Sequence, residues 1–255
     1  MLNKIVAARR MDVEASKQER PIRELERSIT SGQFVFSKTV AELGWNLLAE
    51  CKLASPAKGR LCEKYTVPEL AEIYSGHGAT ALSVHTSPPF LGRLDDIKKV
   101  RAVSRLPILR KDFIIDEYQL YEARWGGADA VLLIAAILSD AELVRFQKTA
   151  YSLGMDCLVE VHDLEELLRV QQTPAQLIGI NNRNLKTFVT DIENTFALLP
   201  HCDSGRIFIS ESGITTRKDA KRLKQAGLRG ILVGESLVKA PDIKVRTREL
   251  AFPAN

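Results

Sequence analysis

Charged and amide side chains stand at the ends of several short apolar runs in this sequence. They supply carboxylates, lysines, an amide and a guanidinium, groups that can deliver a proton to a carbonyl oxygen and remove one from carbon. No nucleophile with a paired base and no metal-ligand spacing accompanies them. We therefore expect chemistry by general acids and bases. The residues are Glu50, Lys52, Lys111, Glu160, Asn181, Arg183, Glu211 and Ser212.

Each of these charged residues, taken alone, could point outward or join an ion pair that only stabilises the fold. Glu50 and Lys52 are two residues apart, so they lie on the same side of a strand. Burying lysines and carboxylates costs several kcal/mol per ion unless they are paired. Their accumulation at five strand ends therefore favours a functional site.

Two segments place glycine beside serine, SESGI at 210–214 and LVGES at 232–236. Each lies between an apolar run and a helical pattern, where backbone N–H groups and a helix N-terminus can hold a phosphate. The alternative is a tight turn without a ligand. Because Glu235 would repel a phosphate, the site requires that its carboxylate turn away.

The elements that must position these residues alternate short β-rich runs with longer helical patterns, which is typical of a parallel sheet. Capping-box spacings start some of the helices, Pro68 suits a first turn, and glycines end several. The capping pairs are Asp116 with Gln119, Ser139 with Glu142 and Asp163 with Glu166, and the glycines are Gly78, Gly127, Gly154 and Gly227. The predicted strands are 47–51, 81–85, 107–110, 129–134, 157–161, 177–180, 207–211 and 230–234.

Eight βα units that close on themselves form a (β/α)8 TIM barrel, an α/β fold whose usual length is about 250 residues. The 255 residues here fit one such barrel domain. A doubly wound open sheet is the rival, but no G-x-G-x-x-G follows the first strand. The helical pattern within residues 1–46 predicts an N-terminal extension on the bottom or rim of the barrel.

Composition excludes disorder and a membrane span, since 45% of residues are hydrophobic and 27% are charged. The net charge of +4 comes without a basic block, so it implies no nucleic acid and suits small anionic ligands. The first residues lack the apolar segment of a secretory signal, and we expect a cytoplasmic protein. The sequence does not decide the oligomeric state, and we favour a monomer. Cys51 and Cys157 lie in apolar runs and are expected to be buried thiols.

Seven motifs in this order resemble the indole-3-glycerol phosphate synthase family: ECKLASPAKG, LRKDFIIDEYQLYEAR, GADAVLLI, LVEVHD, GINNRNL, ISESGI and LVGESL. The resemblance runs from the first helix to about residue 240. It implies a lyase of tryptophan biosynthesis that converts 1-(2-carboxyphenylamino)-1-deoxyribulose 5-phosphate to indole-3-glycerol phosphate. Carbon dioxide and water are lost, and neither a metal nor an organic cofactor is implied.

The resemblance also implies roles for particular residues. Lys111 matches the general acid, Glu160 the general acid/base of the later dehydration, and Lys52 the lysine that holds the anthranilate carboxylate. Glu50, Asn181 and Ser212 match further catalytic positions, and Arg183 and Glu211 lie beside them. Ser55, Gly213, Gly234 and Ser236 match phosphate-binding positions, while Phe90, Phe113 and Leu185 match the apolar residues around the aromatic ring.

Residue chemistry adds one expectation about the acid. Arg110 and other nearby cations should lower the pKa of Lys111 toward the working pH. His85 and Ser87 stand where the family commonly has leucine and an acidic residue, which puts rim contacts in question. His85 and His162 also raise a metal site as an alternative, without further ligands at suitable spacing.

Two other functions have to be considered. A phosphosugar isomerase barrel, such as one like phosphoribosyl-anthranilate isomerase, would share the phosphate turns but would not require RKDFIID and GINNR together. A barrel that only binds a metabolite would keep the turns and lose the acid or base, whereas Lys111 and Glu160 are both present.

Overall fold

Parallel strands close into a barrel in the computed structural model, which describes residues 2–56, 58–185 and 187–252. Each barrel strand pairs with the next along the chain, and the last pairs with the first. The predicted (β/α)8 barrel is confirmed, and each strand end lies within one residue of its predicted position. The strands are β1 (Asn46–Cys51), β2 (Ala81–His85), β3 (Ile108–Lys111), β4 (Ala130–Ile134), β5 (Asp156–Val161), β6 (Leu177–Asn181), β7 (Ile207–Glu211) and β8 (Gly230–Val233).

Helices surround the barrel and begin with three N-terminal ones, so the predicted extension is present. No helix in these described ranges is both long and apolar enough to cross a membrane. The helices are α1 (Leu2–Glu19), α2 (Ile22–Ser28), α3 (Val35–Glu42), α4 (Val67–Ser75), α5 (Asp95–Val103), α6 (Tyr118–Gly126), α7 (Asp140–Ser152), α8 (Leu164–Gln171), α9 (Glu193–Leu198), α10 (Arg217–Gln225), α11 (Glu235–Val238) and α12 (Ile243–Ala251).

Most of the predicted helix boundaries are confirmed. Ser139 and Glu142 form a reciprocal capping box, and Pro68 lies in the first turn of α4. Gly127 ends α6 with a φ of 94°, in the left-handed region that glycine enters without strain. The helix predicted to begin after Asp116 begins one residue later, at Tyr118. A short hairpin of Ala54–Ser55 with Gly59–Arg60 was not predicted, because two-residue strands show no periodicity.

Side chains of the barrel interior form an apolar layer beneath a charged one. Side chains two positions apart on a strand point the same way. Four strands, β1, β3, β5 and β7, each carry a buried apolar residue that faces the barrel interior and, two positions later, an ionisable residue that faces the same way. The apolar layer contains Leu48, Leu109, Leu158 and Ile209, and the residues above them are Glu50, Lys111, Glu160 and Glu211.

The N-terminal helices pack on this barrel at two places. Phe36 and Val40 of α3 are fully buried in the same cluster as the interior leucines, so α3 closes the end of the barrel opposite the charged layer. Arg9 of α1 reaches Asp112, which follows β3, with Nε donating to Oδ1 at 3.1 Å and Nη2 to Oδ2 at 2.7 Å. The extension therefore has an ion pair directly beside Lys111.

We expect Arg9→Met to destabilise the protein by about 1.5–3 kcal/mol, the usual contribution of a hydrogen bond to a charged group. The loss stays moderate because Asp112 keeps its contact with Arg110 at 2.9 Å. Urea unfolding measures it, with exposed Arg10→Met on the same helix as the control. Equal stabilities of the two variants would contradict the prediction.

Candidate active site

A cavity of about 560 Å³ opens at the carboxyl ends of the barrel strands. All but one of the site residues predicted from the sequence line it. They are Glu50, Lys52, Phe90, Lys111, Phe113, Glu160, Asn181, Arg183, Leu185, Glu211, Ser212, Gly213, Gly234 and Ser236. Ser55 is not part of this lining. It is buried, and its hydroxyl accepts the backbone N–H of Lys58 at 3.2 Å.

Lys111 lies between two carboxylates at the centre of the cavity. Its Nζ donates to Oε2 of Glu160 and to Oε2 of Glu211, each at 2.7 Å. Burial acts to lower the pKa of Lys111, but the charges of Glu160, Glu211 and Glu50 outweigh it and raise that pKa well above its usual value. The expectation of a lowered pKa is wrong.

Arg110 does not act on Lys111 as the sequence order suggested, because neighbouring residues of a strand point to opposite sides. Its guanidinium is fully buried on the outer side of the barrel, where it contacts Asp112 at 2.9 Å and Glu122 at 3.1 Å. Its charge is therefore neutralised behind the strand. The groups that face Lys111 are acidic.

Glu160 and Glu211 share Lys111 but differ in acidity. Burial raises the pKa of both carboxyls, while Lys111 and His162 lower that of Glu160 well below its ordinary value. For Glu211, burial and the neighbouring charge of Glu160 outweigh Lys111 and raise the pKa to about 7. Oε1 of Glu211 is buried and has no hydrogen-bond partner in the described part of the chain. Glu160 is thus ionised at neutral pH, and Glu211 is poised to hold a proton.

Glu50 joins a second group on the other side of the cavity. Its Oε1 lies 2.7 Å from Nε2 of His85, and its Oε2 lies 3.3 Å from Nζ of Lys52. Burial raises the pKa of Glu50, but Lys52 and His85 more than reverse this and lower it. Burial also lowers the pKa of His85, so its imidazole is neutral at pH 7. Lys52 is the first residue after β1 and points to the same side as Glu50, as predicted.

Aromatic side chains form one wall of the cavity. The ring of His85 stacks on Phe90 with 4.1 Å between centroids, and Phe90 meets Phe113 at 6.3 Å. Nζ of Lys52 lies 5.4 Å from the centroid of the Phe90 ring. An aromatic ring that bears a carboxylate can therefore lie against this wall with its charge near Lys52.

The turns after β7 and β8 form another end of the cavity. Ser212 and Gly213 have φ angles of 65° and 76°, so two successive residues are left-handed there. The hydroxyl of Ser236 donates to the carbonyl of Ile214 at 2.8 Å. Glu235 accepts from Lys58 at 2.7 Å and from Lys239 at 3.0 Å, so its charge is paired. This end can take an anion.

Three features of the site were missed in the sequence. Lys58 lines the cavity from the unpredicted hairpin. Gly179 and Gly234 leave room for the carboxylates, since a Cβ at Gly179 would overlap Oε1 of Glu211 and one at Gly234 would overlap Oε2 of Glu50. A glycine within a strand often marks such a close approach, and that signal was available in LIGI.

The two histidines considered as metal ligands contact glutamates. His85 bonds Glu50, and His162 lies between Glu160 and Glu166. Across the described ranges, no group of three or more His, Cys, Asp or Glu residues is arranged to hold a metal ion. Cys51 and Cys157 are buried free thiols, as expected.

Comparison with known proteins gives one family. Residues 2–250 match the family model described as Indole-3-glycerol phosphate synthase. The indole-3-glycerol phosphate synthase of Endomicrobium trichonymphae is 43% identical over 255 residues, covering 98% of this chain and 99% of the relative. That of Carboxydothermus hydrogenoformans is 46% identical over 252 residues, covering 94% and 96%. The 3-hexulose-6-phosphate synthase structure from Salmonella typhimurium, 14% identical, superposes with a TM-score of 0.65 over 81% of this chain and 97% of that one, which shows the shared fold.

The raised pKa of Glu211 predicts a pH-dependent stability. A carboxyl whose pKa is higher in the folded state than in the unfolded chain contributes stability at low pH, and this contribution is lost as the pH rises through about 7. Glu211→Gln carries no charge at any pH. We expect the stability of Glu211→Gln, relative to that of the wild type, to be higher at pH 8 than at pH 5, because the loss begins near the unfolded-state pKa and is complete only above about 7.

Urea unfolding at both pH values measures this difference, with exposed Glu63→Gln as the control. A stability gap between the wild type and Glu211→Gln that is the same at pH 5 and pH 8 would show that Glu211 is already ionised at pH 5.

Proposed function

This chain belongs to the indole-3-glycerol phosphate synthase family, and we propose that its barrel cavity closes the indole ring of 1-(2-carboxyphenylamino)-1-deoxyribulose 5-phosphate. The proposal rests on the position of Lys111 between Glu160 and Glu211. This arrangement places a cationic proton donor and two carboxyls together at the centre of the cavity. The product is indole-3-glycerol phosphate, with carbon dioxide and water released. The chain is thus assigned to the carboxy-lyases of tryptophan biosynthesis.

The two ends of the cavity suit the two ends of this substrate. The phosphate is assigned to the turns at Gly213, Gly234 and Ser236. Lys58 and Lys239 both contact Glu235 there, and their two positive charges exceed its one negative charge. The carboxyphenyl ring is assigned to the wall of Phe90 and Phe113, with Leu185 beside it and its carboxylate on Lys52. A substrate held at both ends brings its ketone to Lys111.

Ring closure needs an acid at the ketone oxygen. The aromatic carbon that bears the carboxylate attacks the ketone carbon, and the carbonyl electron pair moves to oxygen, which takes a proton from Lys111. A developing alkoxide is a stronger base than a lysine amine, so even a lysine with a raised pKa can deliver this proton. Lys111 remains protonated, and therefore competent, over the whole working pH range.

The later steps need a base. Loss of carbon dioxide returns its bonding electrons to the ring. The new hydroxyl then leaves as water, taking its second proton from the protonated carboxyl of Glu211, whose pKa is raised to about 7. A carbon-bound proton of the new ring passes to a base, for which Glu160 is suited because its pKa is low and it is ionised. Asn181, Arg183 and Ser212 line the same side of the cavity and are assigned to hydrogen bonds with the substrate.

We also retain three proposals made from the sequence. Residues 1–255 form one barrel domain, and residues 1–46 are an extension packed on it, which the burial of Phe36 within the barrel interior supports. The protein acts in the cytoplasm, as suits an enzyme of amino-acid biosynthesis. We keep the monomer as the proposed oligomeric state.

Lys111→Met should lower kcat by about 10²- to 10⁴-fold, the usual contribution of a positioned general acid. We expect the barrel to stay folded, because Glu160 and Glu211 can share a proton in place of the lysine. The increase in indole fluorescence with the carboxyphenylamino substrate measures turnover, circular dichroism checks the fold, and exposed Lys221→Met is the control.

A Lys111→Met variant that keeps more than about a tenth of wild-type kcat would remove the general-acid role. Absence of indole fluorescence with the wild-type protein would instead favour an isomerase or a metabolite-binding barrel.

Lys52→Ala should lower kcat/KM by about 10- to 100-fold, which corresponds to one lost hydrogen bond to a charged group. An inhibitor with the same skeleton but no carboxylate serves as the matched probe. It should bind equally well to the wild type and to Lys52→Ala, whereas a carboxylated inhibitor should lose affinity for the variant. If Lys52→Ala lost the same affinity for both inhibitors, Lys52 would not recognise the carboxylate.

A further inference from the structure

We propose that His162 is a positioning residue whose positive charge keeps Glu160 a carboxylate after Lys111 has given its proton to the substrate. The inference rests on the proposed function, since it assigns Glu160 the work of a base. His162 attracts attention in the sequence only as a metal ligand.

His162 contacts Glu160 on the oxygen that Lys111 does not use. Nζ of Lys111 bonds Oε2 of Glu160, while Nε2 of His162 lies 3.3 Å from Oε1. Glu160 is the penultimate residue of β5, and His162 is the first residue after that strand. The carboxylate is thus flanked by two nitrogen groups from two elements.

The first turn of α8 fixes the other side of the imidazole. Oε2 of Glu166 accepts the backbone N–H of His162 at 2.8 Å and lies 3.0 Å from its Nδ1. Asp163 caps α8 by accepting the N–H of Glu166 at 2.9 Å. The capping pair predicted from the sequence is therefore only half formed, because the carboxylate of Glu166 is directed to the histidine.

The surroundings of His162 favour its protonated form. Burial alone would lower its pKa, but the carboxylates of Glu160 and Glu166 raise that pKa to about 10. Glu166 does so through a hydrogen bond, and Glu160 acts through its charge, since Nε2 lies in ionic contact with it without forming a hydrogen bond among the described residues. Beyond Glu166 lies a second cavity, of about 1060 Å³, which His162 also borders. The charged groups that the described residues bring to its lining are all acidic: Asp163, Glu166, Asp191 and Glu193.

This second cation matters once ring closure has occurred. When Lys111 transfers its proton to the alkoxide, Glu160 and Glu211 lose the charge that they share. A buried carboxylate without a counter-charge takes up a proton, and a protonated Glu160 could not act as a base. The imidazolium of His162 remains in place through this step. It therefore keeps Glu160 ionised for the dehydration.

The charge of His162 can be measured without any turnover. In ¹⁵N-labelled wild-type protein without substrate, NMR should show both ring nitrogens of His162 protonated at pH 8. The ring ¹⁵N signals of half-buried His77 are compared with those of His162 in the same spectrum. Nδ1 of His77 lies 2.6 Å from a backbone carbonyl. A neutral imidazole for His162 at pH 8 would overturn the inference and leave the proposed function intact.

Kinetics test the consequence for Glu160. In His162→Gln we expect the acidic limb of the kcat profile to move up by about one pH unit or more, since an opposite charge next to a carboxyl lowers its pKa by about that much. KM should stay close to that of the wild type. Glu166→Gln should give a smaller shift in the same direction, and His77→Gln should give none.

An acidic limb in His162→Gln that coincides with that of the wild type would overturn the inference. Glu160→Gln tests whether Glu160 acts as a base at all. Full turnover by this variant would end the role of Glu160 as a base, and with it both the proposed dehydration step and the inference. Thermal melts confirm that each variant is folded.

Discussion

The buried charge of Lys111 is the constraint on which the rest of the site depends. An ammonium group taken out of water is costly unless opposite charges surround it, and here Glu160 and Glu211 each lie 2.7 Å away. The three residues come from β3, β5 and β7, and Glu50 of β1 completes the layer. In barrels of this type, side chains from alternate strands fill one layer. This layer takes the place of another apolar one, directly above Leu48, Leu109, Leu158 and Ile209.

The charged layer is supported from outside the barrel as well as within it. Arg110 points away from Lys111 and holds Asp112, which also receives Arg9 of the N-terminal helix. His162 and Glu166 support Glu160 from the turn before α8. Gly179 on β6 leaves the space that the carboxylate of Glu211 occupies. Elements distant in sequence therefore determine the charge and position of a few central atoms.

The order of short apolar runs and longer helical patterns predicted the barrel and the residues at the strand ends, because parallel strands buried on both faces read as continuous apolar runs. It could not predict the electrostatics of Lys111. Sequence adjacency suggested Arg110 as the neighbour that matters, whereas the strand directs these two side chains to opposite sides. The groups that do reach Lys111 are 49 and 100 residues away along the chain. The short hairpin that carries Lys58 was also missed, since two-residue strands leave no pattern.

A crystal structure with an unreactive substrate analogue, in which the ketone is reduced to an alcohol, tests whether Lys111 protonates the ketone. We expect the phosphate on the backbone N–H groups around Gly213, Gly234 and Ser236, and the aromatic ring against Phe90 and Phe113. We also expect the alcohol oxygen within hydrogen-bond distance of Nζ of Lys111. An analogue bound with its phosphate elsewhere, or with that oxygen distant from Lys111, would contradict the central claim that this buried lysine protonates the ketone.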